Sequence, residues 1–275
     1  SQIIDLDLDG MDDFVYYTRS HMKFFRRVKV LTPTSFYKRD VWAKPNANYI
    51  VGVDLNGDGN QDLVGTQQDV YGHSPSSLVF FAFDKIGTNG VEYADKVVLK
   101  DKAGNDIAKA ASGDYNSYVS RATFIDIGQD GDFDLIVGTY QSGLWYYENT
   151  GTSTNYIFER QESWALDQAC KKSDGSFQSY CRAYAGNFND DLLVDIMVMN
   201  NGVREMYQHM PSSSPNFVRK TEWESSSDLN LYNGNDAGYS GSSAVTFGDL
   251  DQDGDDDAVI VFSDGQAKYY ERIEV

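Results

Sequence analysis

Short apolar runs recur along the chain, and each of them begins with an aspartate. Five runs share this pattern, at residues 13–16, 62–65, 134–137, 195–198 and 257–260. Apolar runs of this length, rich in β-branched and aromatic residues, are typical of strands that are buried on both faces. The pattern therefore predicts five such strands, distributed over the whole chain.

Further strand signals follow each run at similar spacings. An aromatic pair or its remnant comes 11 or 12 residues after the aspartate in four units and 18 residues after it in the second, which predicts an insertion near residues 71–77. A more polar strand comes next, such as 156–159, and another strand, such as 122–125, leads into the following unit. Each unit is therefore predicted to contain four strands.

An acidic nonapeptide precedes each run, and its ninth residue is the aspartate that starts the run. The side chains expected to point inward, at positions 1, 3, 5 and 9, are Asp5, Asp7, Asp9, Asp13; Asp54, Asn56, Asp58, Asp62; Asp126, Asp130, Asp134; Asn187, Asn189, Asp191, Asp195; and Asp249, Asp251, Asp253, Asp257. Position 7 is expected to supply its main-chain carbonyl oxygen as a ligand, and it is Met11, Asn60, Asp132, Leu193 or Asp255. Gly128 stands at position 3 of one copy, so that ligand is missing, and Leu192 replaces the sixth-position glycine in another copy.

Carboxylates packed this closely repel one another unless a cation lies among them. If the loop curls, alternate side chains surround one point, and a glycine such as Gly254 can adopt the positive φ that the curl needs. Ca²⁺ accepts about six to eight oxygen ligands in flexible geometry. The sequence predicts up to five Ca²⁺ sites, with the most complete ligand sets at 5–13, 54–62 and 249–257 and the least complete at 187–195.

These loops do not follow the EF-hand pattern. An EF-hand needs a bidentate Glu at position 12 and a helix on each side of the loop. Position 12 is instead Tyr16, Gly65, Val137, Val198 or Ile260. The flanking sequences are strand-like, so the loops are predicted to connect strands.

The loops mark a repeat that covers the chain. They begin at residues 5, 54, 126, 187 and 249, so successive starts are 49, 72, 61 and 62 residues apart. Four strands repeated radially at such intervals are typical of a β-propeller blade, and propellers have about four to eight blades. We therefore predict one all-β domain over residues 1–275, a β-propeller of about five four-stranded blades. The last blade has only half a unit of sequence left, so it is either incomplete or completed by another segment or chain.

The Asp-x-Asp-x-Asp-Gly-x-x-Asp pattern, with Phe247-Gly248 just before the last loop, resembles the FG-GAP repeats of integrin α-subunits. It is equally similar to the related VCBS repeats of secreted microbial proteins. The resemblance covers nearly the whole chain and departs at Leu192. It implies a propeller in which each loop binds Ca²⁺ on the hairpin between the first two strands of a blade.

Charge and cysteine content narrow the setting of the protein. The net charge of −19 argues against nucleic acid and against anionic membrane surfaces as partners. No apolar run reaches the roughly 20 residues that a membrane-spanning helix needs. Cys170 and Cys181 are close enough in sequence to predict a local disulfide, which is typical of an oxidising compartment. We expect a secreted or cell-surface protein.

Meander geometry places the acidic loops, together with the connections between third and fourth strands, on one face of a propeller. The long connections 32–46, 162–180 and 222–242 are expected on the other face, where binding residues concentrate. Candidate ligand-face residues are Arg39, Trp42, Trp164, Trp223 and Tyr232, whose rings and charges could stack on sugars or anchor a protein.

Catalysis has little support in the sequence. His21, His73 and His209 are isolated, and no nucleophile elbow or phosphate loop is present. The leading hypothesis is an extracellular, Ca²⁺-stabilised adhesion or assembly module that binds a protein or a glycan. The alternatives are a lectin, a polysaccharide lyase or hydrolase on the same scaffold, and a structural filament subunit that self-assembles or accepts a donated strand at its incomplete blade.

Overall fold

The computed structural model describes residues 2–5, 8, 13–17, 21–27, 36–43, 47–67, 77–87, 90–108, 119–189, 191, 193–200, 203–210, 216–225, 244–248, 256–261 and 267–270. Within them, β-strands and the turns between strands predominate, and the one helix is α1 (Thr221–Ser225). No helix in this part of the chain is long and apolar enough to cross a membrane. The predicted all-β class is confirmed.

Strands of the first half form two four-stranded antiparallel sheets and a hairpin. The first sheet contains β1 (Gln2–Ile4), β2 (Asp13–Tyr17), β3 (His21–Arg27) and β4 (Phe36–Ala43). The second contains β5 (Asn48–Val53), β6 (Asp62–Gln67), β7 (Ser77–Phe81) and β10 (Val97–Val98). The hairpin, β8 (Phe83–Gly87) with β9 (Gly90–Tyr93), lies between β7 and β10 in sequence.

Strands of the second half form three more antiparallel sheets. The third contains β11 (Val119–Ile125), β12 (Asp134–Thr139), β13 (Leu144–Asn149) and β14 (Phe158–Gln161). The fourth contains β15 (Arg182–Gly186), β16 (Asp195–Asn200), β17 (Val203–Met210) and β18 (Asn216–Arg219). The fifth contains β19 (Ala244–Gly248), β20 (Asp257–Val261) and β21 (Ala267–Tyr270).

Strand content agrees with the sequence in most units. Four sheets have the predicted four strands, and the fifth has three within the described residues, as its short sequence led us to expect. Residues 68–76 separate β6 from β7, which confirms an insertion in the second unit. The β8–β9 hairpin was not predicted, because it interrupts the repeat between a third and a fourth strand.

One predicted connection is wrong. Residues 32–46 were expected to form a loop, but β4 occupies Phe36–Ala43 and pairs with β3. Arg39 and Trp42 therefore lie in the outermost strand of the first sheet rather than in a connection. An outer strand has only one neighbouring strand in its sheet, so its sequence need not be a continuous apolar run. The mixed polar sequence of β4 therefore resembles that of a loop.

Strand β12 shows how the central strands are buried on both faces. Leu135 and Val137 pack with residues of the second sheet, including Val64. Ile136, which lies between them in sequence, packs with Ile196 of the fourth sheet. Successive side chains of a strand point to opposite faces, so one continuous apolar run serves two neighbouring sheets. The prediction of strands buried on both faces is confirmed here.

The first strand of each sheet contacts the first strand of the next. Contacts join β1 to β5, β5 to β11, β11 to β15 and β15 to β19, and β19 in turn contacts β1. A cavity between these strands is lined by residues from all five of them. The first strands of the five sheets therefore lie next to one another in sequence order and line one cavity.

The predicted disulfide between Cys170 and Cys181 is present, with a Cα–Cα distance of 6.0 Å. Both cysteines are fully buried in the apolar cluster between the third and fourth sheets. The bond fixes the connection between β14 and β15, which also contributes the buried Leu166 to that cluster.

Removing this disulfide should lower the free energy of unfolding. Its sequence separation is 11 residues, and a loop of that size is worth about 3 kcal/mol in the chain-entropy model. We expect the Cys170→Ala, Cys181→Ala variant to show this loss in urea denaturation, and the reduced wild-type protein to show a similar one. An unchanged denaturation midpoint in both samples would contradict the prediction.

Candidate metal centres

The acidic nonapeptides occupy equivalent places in the five sheets, each joining the first strand to the second. The structure describes loops 54–62 and 126–134 completely and most of 187–195. In the first and fifth loops it describes Asp5, Asp13 and Asp257 among the predicted ligands. The remaining predicted ligands of those two loops, Asp7, Asp9, Met11, Asp249, Asp251, Asp253 and Asp255, lie outside the described residues.

The ninth-position aspartates are buried acceptors of main-chain hydrogen bonds. Asp62 accepts the N–H of Leu55 at 3.2 Å and the N–H of Phe83 at 2.8 Å. These donors lie at the second position of the same loop and just beyond the third strand of the sheet. The carboxylate therefore ties the loop to a neighbouring strand, in addition to its predicted role as a ligand.

The same arrangement recurs in the next two sheets. The Asp134 carboxylate accepts hydrogen bonds from the N–H groups of Ile127, at 3.2 Å, and Asn149, at 2.7 Å. Asp195 accepts those of Phe188, at 3.1 Å, and His209, at 2.8 Å. Sequence reasoning missed this role, although the invariable placement of an aspartate at the start of each apolar run was a signal for it.

Burial perturbs two of these carboxyl groups. Removal from water raises the pKa of Asp62 and of Asp134 to about 6 in each case, against the opposing effect of the N–H donors. The Tyr146 hydroxyl also donates to Asp134, at 3.2 Å, and helps to hold its charged form. A nearby cation would favour the same charged form.

The first-position aspartates close the loops. Asp54 accepts the N–H of Asp58 at 3.1 Å and that of Gly59 at 2.9 Å. Asp126 makes the equivalent pair of hydrogen bonds with positions 5 and 6 of its own loop, at 3.1 and 3.0 Å. The sixth-position glycines Gly59 and Gly131 have φ values of 85° and 89°, the left-handed conformation that the sequence predicted for this position.

A left-handed residue also occupies the fourth position of three loops. Leu8, Gly57 and Gln129 have φ values of 60°, 67° and 56°. Leucine and glutamine adopt this conformation rarely, so their presence here shows that the loop imposes it. The first loop therefore shares this backbone feature with the second and third, although few of its residues are described.

Loop 54–62 packs against the turn between β13 and β14 of the neighbouring sheet. A Cβ atom added at Gly57 would lie 2.7 Å from Cγ2 of Thr154 in that turn. The loop between the first two strands of one sheet therefore lies beside the turn between the last two strands of the next sheet. Meander geometry predicted that these two kinds of connection share a face.

Loop 187–195 differs from the other two. The Asn189 amide donates to Asp191 at 2.8 Å, as Asn56 does to Asp58 in loop 54–62, but Asp191 also accepts a hydrogen bond from Gln208 at 3.2 Å. The main-chain N–H of Asn187 donates to Asp256 of the fifth loop at 2.7 Å. The fourth loop, which has the least complete ligand set, thus uses several of its polar groups in contacts of its own.

Asp132 provides a test of whether a cation fits the loop 126–134. Its side chain is 7% exposed, and its buried Oδ1 accepts no hydrogen bond from a described residue. Burial raises the pKa of Asp132, and the charges of Asp130 and Asp126 raise it further. A buried acidic oxygen without a donor, beside two other carboxylates, suits a hard cation such as Ca²⁺.

Among the described residues, no group of three or more His, Cys, Asp or Glu side chains converges as a metal-binding cluster. The ligand sets predicted for these loops also include asparagine side chains and main-chain carbonyls. The carboxylates of the described loops therefore do not by themselves form a complete cage.

The residues predicted for a ligand face are dispersed. Trp164 is partly buried and stacks on Tyr146, with ring centroids 5.1 Å apart. Trp223 lies in α1 and packs against the core cluster between the fourth and fifth sheets. Tyr232 lies outside the described residues. The two tryptophans therefore pack against the body of the protein, which lowers the support for a sugar-stacking surface.

Comparison with known proteins does not assign the chain to a family. No protein-family model matches its sequence. No curated protein is similar enough in sequence to be a recognisable relative. The interpretation of the acidic loops therefore rests on their residues and on their geometry.

Proposed function

We propose that the five sheets are the blades of one β-propeller. Support comes from the contacts that lead from β1 through β5, β11, β15 and β19 back to β1, with a cavity among these strands. The sheets follow one another in sequence order. Within each sheet the strands are paired in chain order, and the first strand lies at the cavity. The second sheet differs only in the β8–β9 hairpin, which is inserted before its fourth strand. These features support a propeller, in which sheets are repeated radially.

We propose further that the acidic loops bind Ca²⁺ and that the protein acts as an extracellular adhesion or assembly module. One observation carries this proposal: loops 54–62 and 126–134 close with the same hydrogen bonds at positions 1 and 9, so the sequence repeat is also a repeat of conformation. A bound cation would neutralise the clustered carboxylates and link the two strands that each loop joins.

The residues that would hold the ions are those at the ligand positions of each loop. In 54–62 they are Asp54, Asn56 and Asp58, with the carbonyl of Asn60 and the carboxylate of Asp62. In 126–134 they are Asp126, Asp130 and Asp134, with position 7 supplied by Asp132. Their task is structural, because the carboxylates of Asp62 and Asp134 also accept main-chain N–H groups that hold each loop against its sheet.

One feature of the structure supports an extracellular setting, and the proposed calcium binding is consistent with it. The Cys170–Cys181 disulfide is stable in oxidising compartments. Extracellular modules bind Ca²⁺ with Kd values as weak as about 10⁻⁴ to 10⁻³ M, which matches the millimolar calcium found outside cells better than the low concentration inside them. A binding or assembly role fits a rigid scaffold without a recognised catalytic constellation.

Isothermal titration of the metal-free protein with Ca²⁺ tests the proposal directly. We expect saturable binding of up to five ions, and the loss of one site in the Asp58→Ala variant. Asp95→Ala is the matched control, because Asp95 is an exposed carboxylate outside the loops, and it should leave the stoichiometry unchanged. Absence of saturable binding at millimolar Ca²⁺ would refute the calcium proposal.

The assembly role requires a separate measurement. The fifth sheet has three strands among the described residues, and an unpaired sheet edge is a template for another strand. We expect sedimentation in calcium to show association that increases with protein concentration if copies of the chain assemble. A monomer at all concentrations would favour binding to a different protein or a glycan.

A further inference from the structure

The interior shared by the five sheets contains a cavity of about 290 Å³. Its walls are the first strands of the sheets, and most of its lining is apolar or uncharged. Two charged residues line it among those described, Arg121 of β11 and Asp54 at the start of its loop. A charged group that is withdrawn from water beside such a cavity needs a counter-charge or strong hydrogen bonds.

Asp54 has partners, because its two carboxylate oxygens accept N–H groups from Asp58 and Gly59. Arg121 does not have an equivalent set. Its Nε is buried, and no described residue accepts a hydrogen bond from its guanidinium or forms an ion pair with it. Arg182 is a charged neighbour of Arg121, and because both are cations it repels the guanidinium and lowers its pKa further.

Tyr184 holds the Arg121 side chain in place. The guanidinium carbon lies 4.4 Å from the centroid of the tyrosine ring, so the planar cation rests on an aromatic face. An arginine held by its face keeps its in-plane N–H groups for a second partner. Burial lowers the pKa of Arg121, which reflects the cost of this charge without an anion beside it.

We propose that this cavity binds a small carboxylate anion, with Arg121 as its charged anchor. A carboxylate accepts two parallel N–H groups of arginine, which fits a guanidinium whose face is already occupied. The apolar part of the ligand would contact Phe124 and Phe247, which line the same cavity. A volume of about 290 Å³ lies at the lower limit of small-molecule sites, so the ligand is small.

The Arg121 anchor lies on β11, outside the calcium loops, although Asp54, Gln61 and Phe133 of loops 54–62 and 126–134 also line the cavity. The proposed site goes beyond the adhesion role. It would give the module a chemical specificity for acidic small molecules, such as organic acids or the carboxylate of an acidic monosaccharide. It does not depend on the identity of the metal, and it can be tested with the calcium-loaded protein.

Benzoate is a suitable probe, because it joins a carboxylate to a small apolar ring. We expect saturation-transfer NMR to detect benzoate in calcium-containing buffer, and the melting temperature to rise by about 3 °C at ten times Kd. Benzyl alcohol, which has the same ring without the charge, should give neither effect. Equal binding of the two probes, or no benzoate binding, would overturn the proposal.

Variants of Arg121 separate a ligand site from a structural role. Arg121→Met removes a buried charge and keeps the length of the side chain, so the variant should melt at the same or a higher temperature without ligand and should lose benzoate binding. Arg121→Lys keeps the charge but loses the planar fork, and we expect about tenfold weaker binding. Unchanged benzoate binding by Arg121→Met, or a strongly lowered melting temperature with binding retained, would refute the assignment. Binding of inorganic sulfate but not benzoate would also refute it.

Discussion

Replacing Asp134 by alanine should destabilise the protein by about 3 to 5 kcal/mol, with or without calcium. The Asp134 carboxylate accepts the N–H groups of Ile127 and Asn149 and the hydroxyl of Tyr146. Its side chain is 3% exposed, so water cannot replace the missing acceptor without rearrangement of the loop. Each unsatisfied donor costs about 1 to 3 kcal/mol, partly offset by relief from burying a charge.

Asp130 provides the matched control in the same loop. It is exposed and accepts one main-chain N–H, that of Asp132, at 3.4 Å. Asp130→Ala should change the free energy of unfolding by less than about 1 kcal/mol in EDTA and should reduce the stabilisation that calcium provides. Urea denaturation of both variants, with and without calcium, separates the structural role of position 9 from ligation. Similar losses in EDTA for the two variants would contradict the assigned difference.

Removing calcium should lower the melting temperature by roughly 5 to 15 °C. At about 2 mM Ca²⁺ and the weak affinities of extracellular modules, each site contributes roughly 0.7 to 1.8 kcal/mol, and the three loops with the most complete ligand sets act together. The net charge of −19 adds mutual repulsion when the ions are absent. We expect calcium removal to lower the melting temperature more than a change of salt concentration does.

Scanning calorimetry in 2 mM calcium chloride and in excess EDTA measures this effect. Sodium chloride at matched ionic strength is the control for screening, and magnesium chloride is the control for a divalent ion that prefers stricter octahedral geometry. Calcium should stabilise the protein more than either control does. A melting temperature that is the same in EDTA and in calcium would mean that the loops do not hold structural metal.

Much of the fold followed from local patterns. The apolar run 134–137 coincides with the start of β12, and the aromatic pair at 146–147 lies in β13. These assignments succeeded because a strand buried on both faces must be apolar at successive positions, whatever its neighbours are. The Cys170–Cys181 bond was predictable for a similar reason, since a short connection brings its ends together.

Other features could not be read from the sequence. The outer strand β4 faces fewer neighbours, so its mixed residues carried no strand signal. Trp164 was predicted to lie on a binding face but stacks on Tyr146. Nothing in its local sequence distinguishes an exposed tryptophan from one that packs against the protein. The hairpin β8–β9 lies within one unit and has no counterpart among the described residues of the other units.

The sequence by itself determined the number of units, the positions of their central strands, the acidic loops between first and second strands, and the disulfide. These depend on periodicity and spacing, which are properties of short segments. The tertiary structure alone decided that Asp62, Asp134 and Asp195 accept hydrogen bonds from beyond their own loops. It also placed Arg121 on Tyr184 in a cavity bounded by five sheets. Both results depend on contacts between residues far apart in the chain, which only the packing of the sheets brings together.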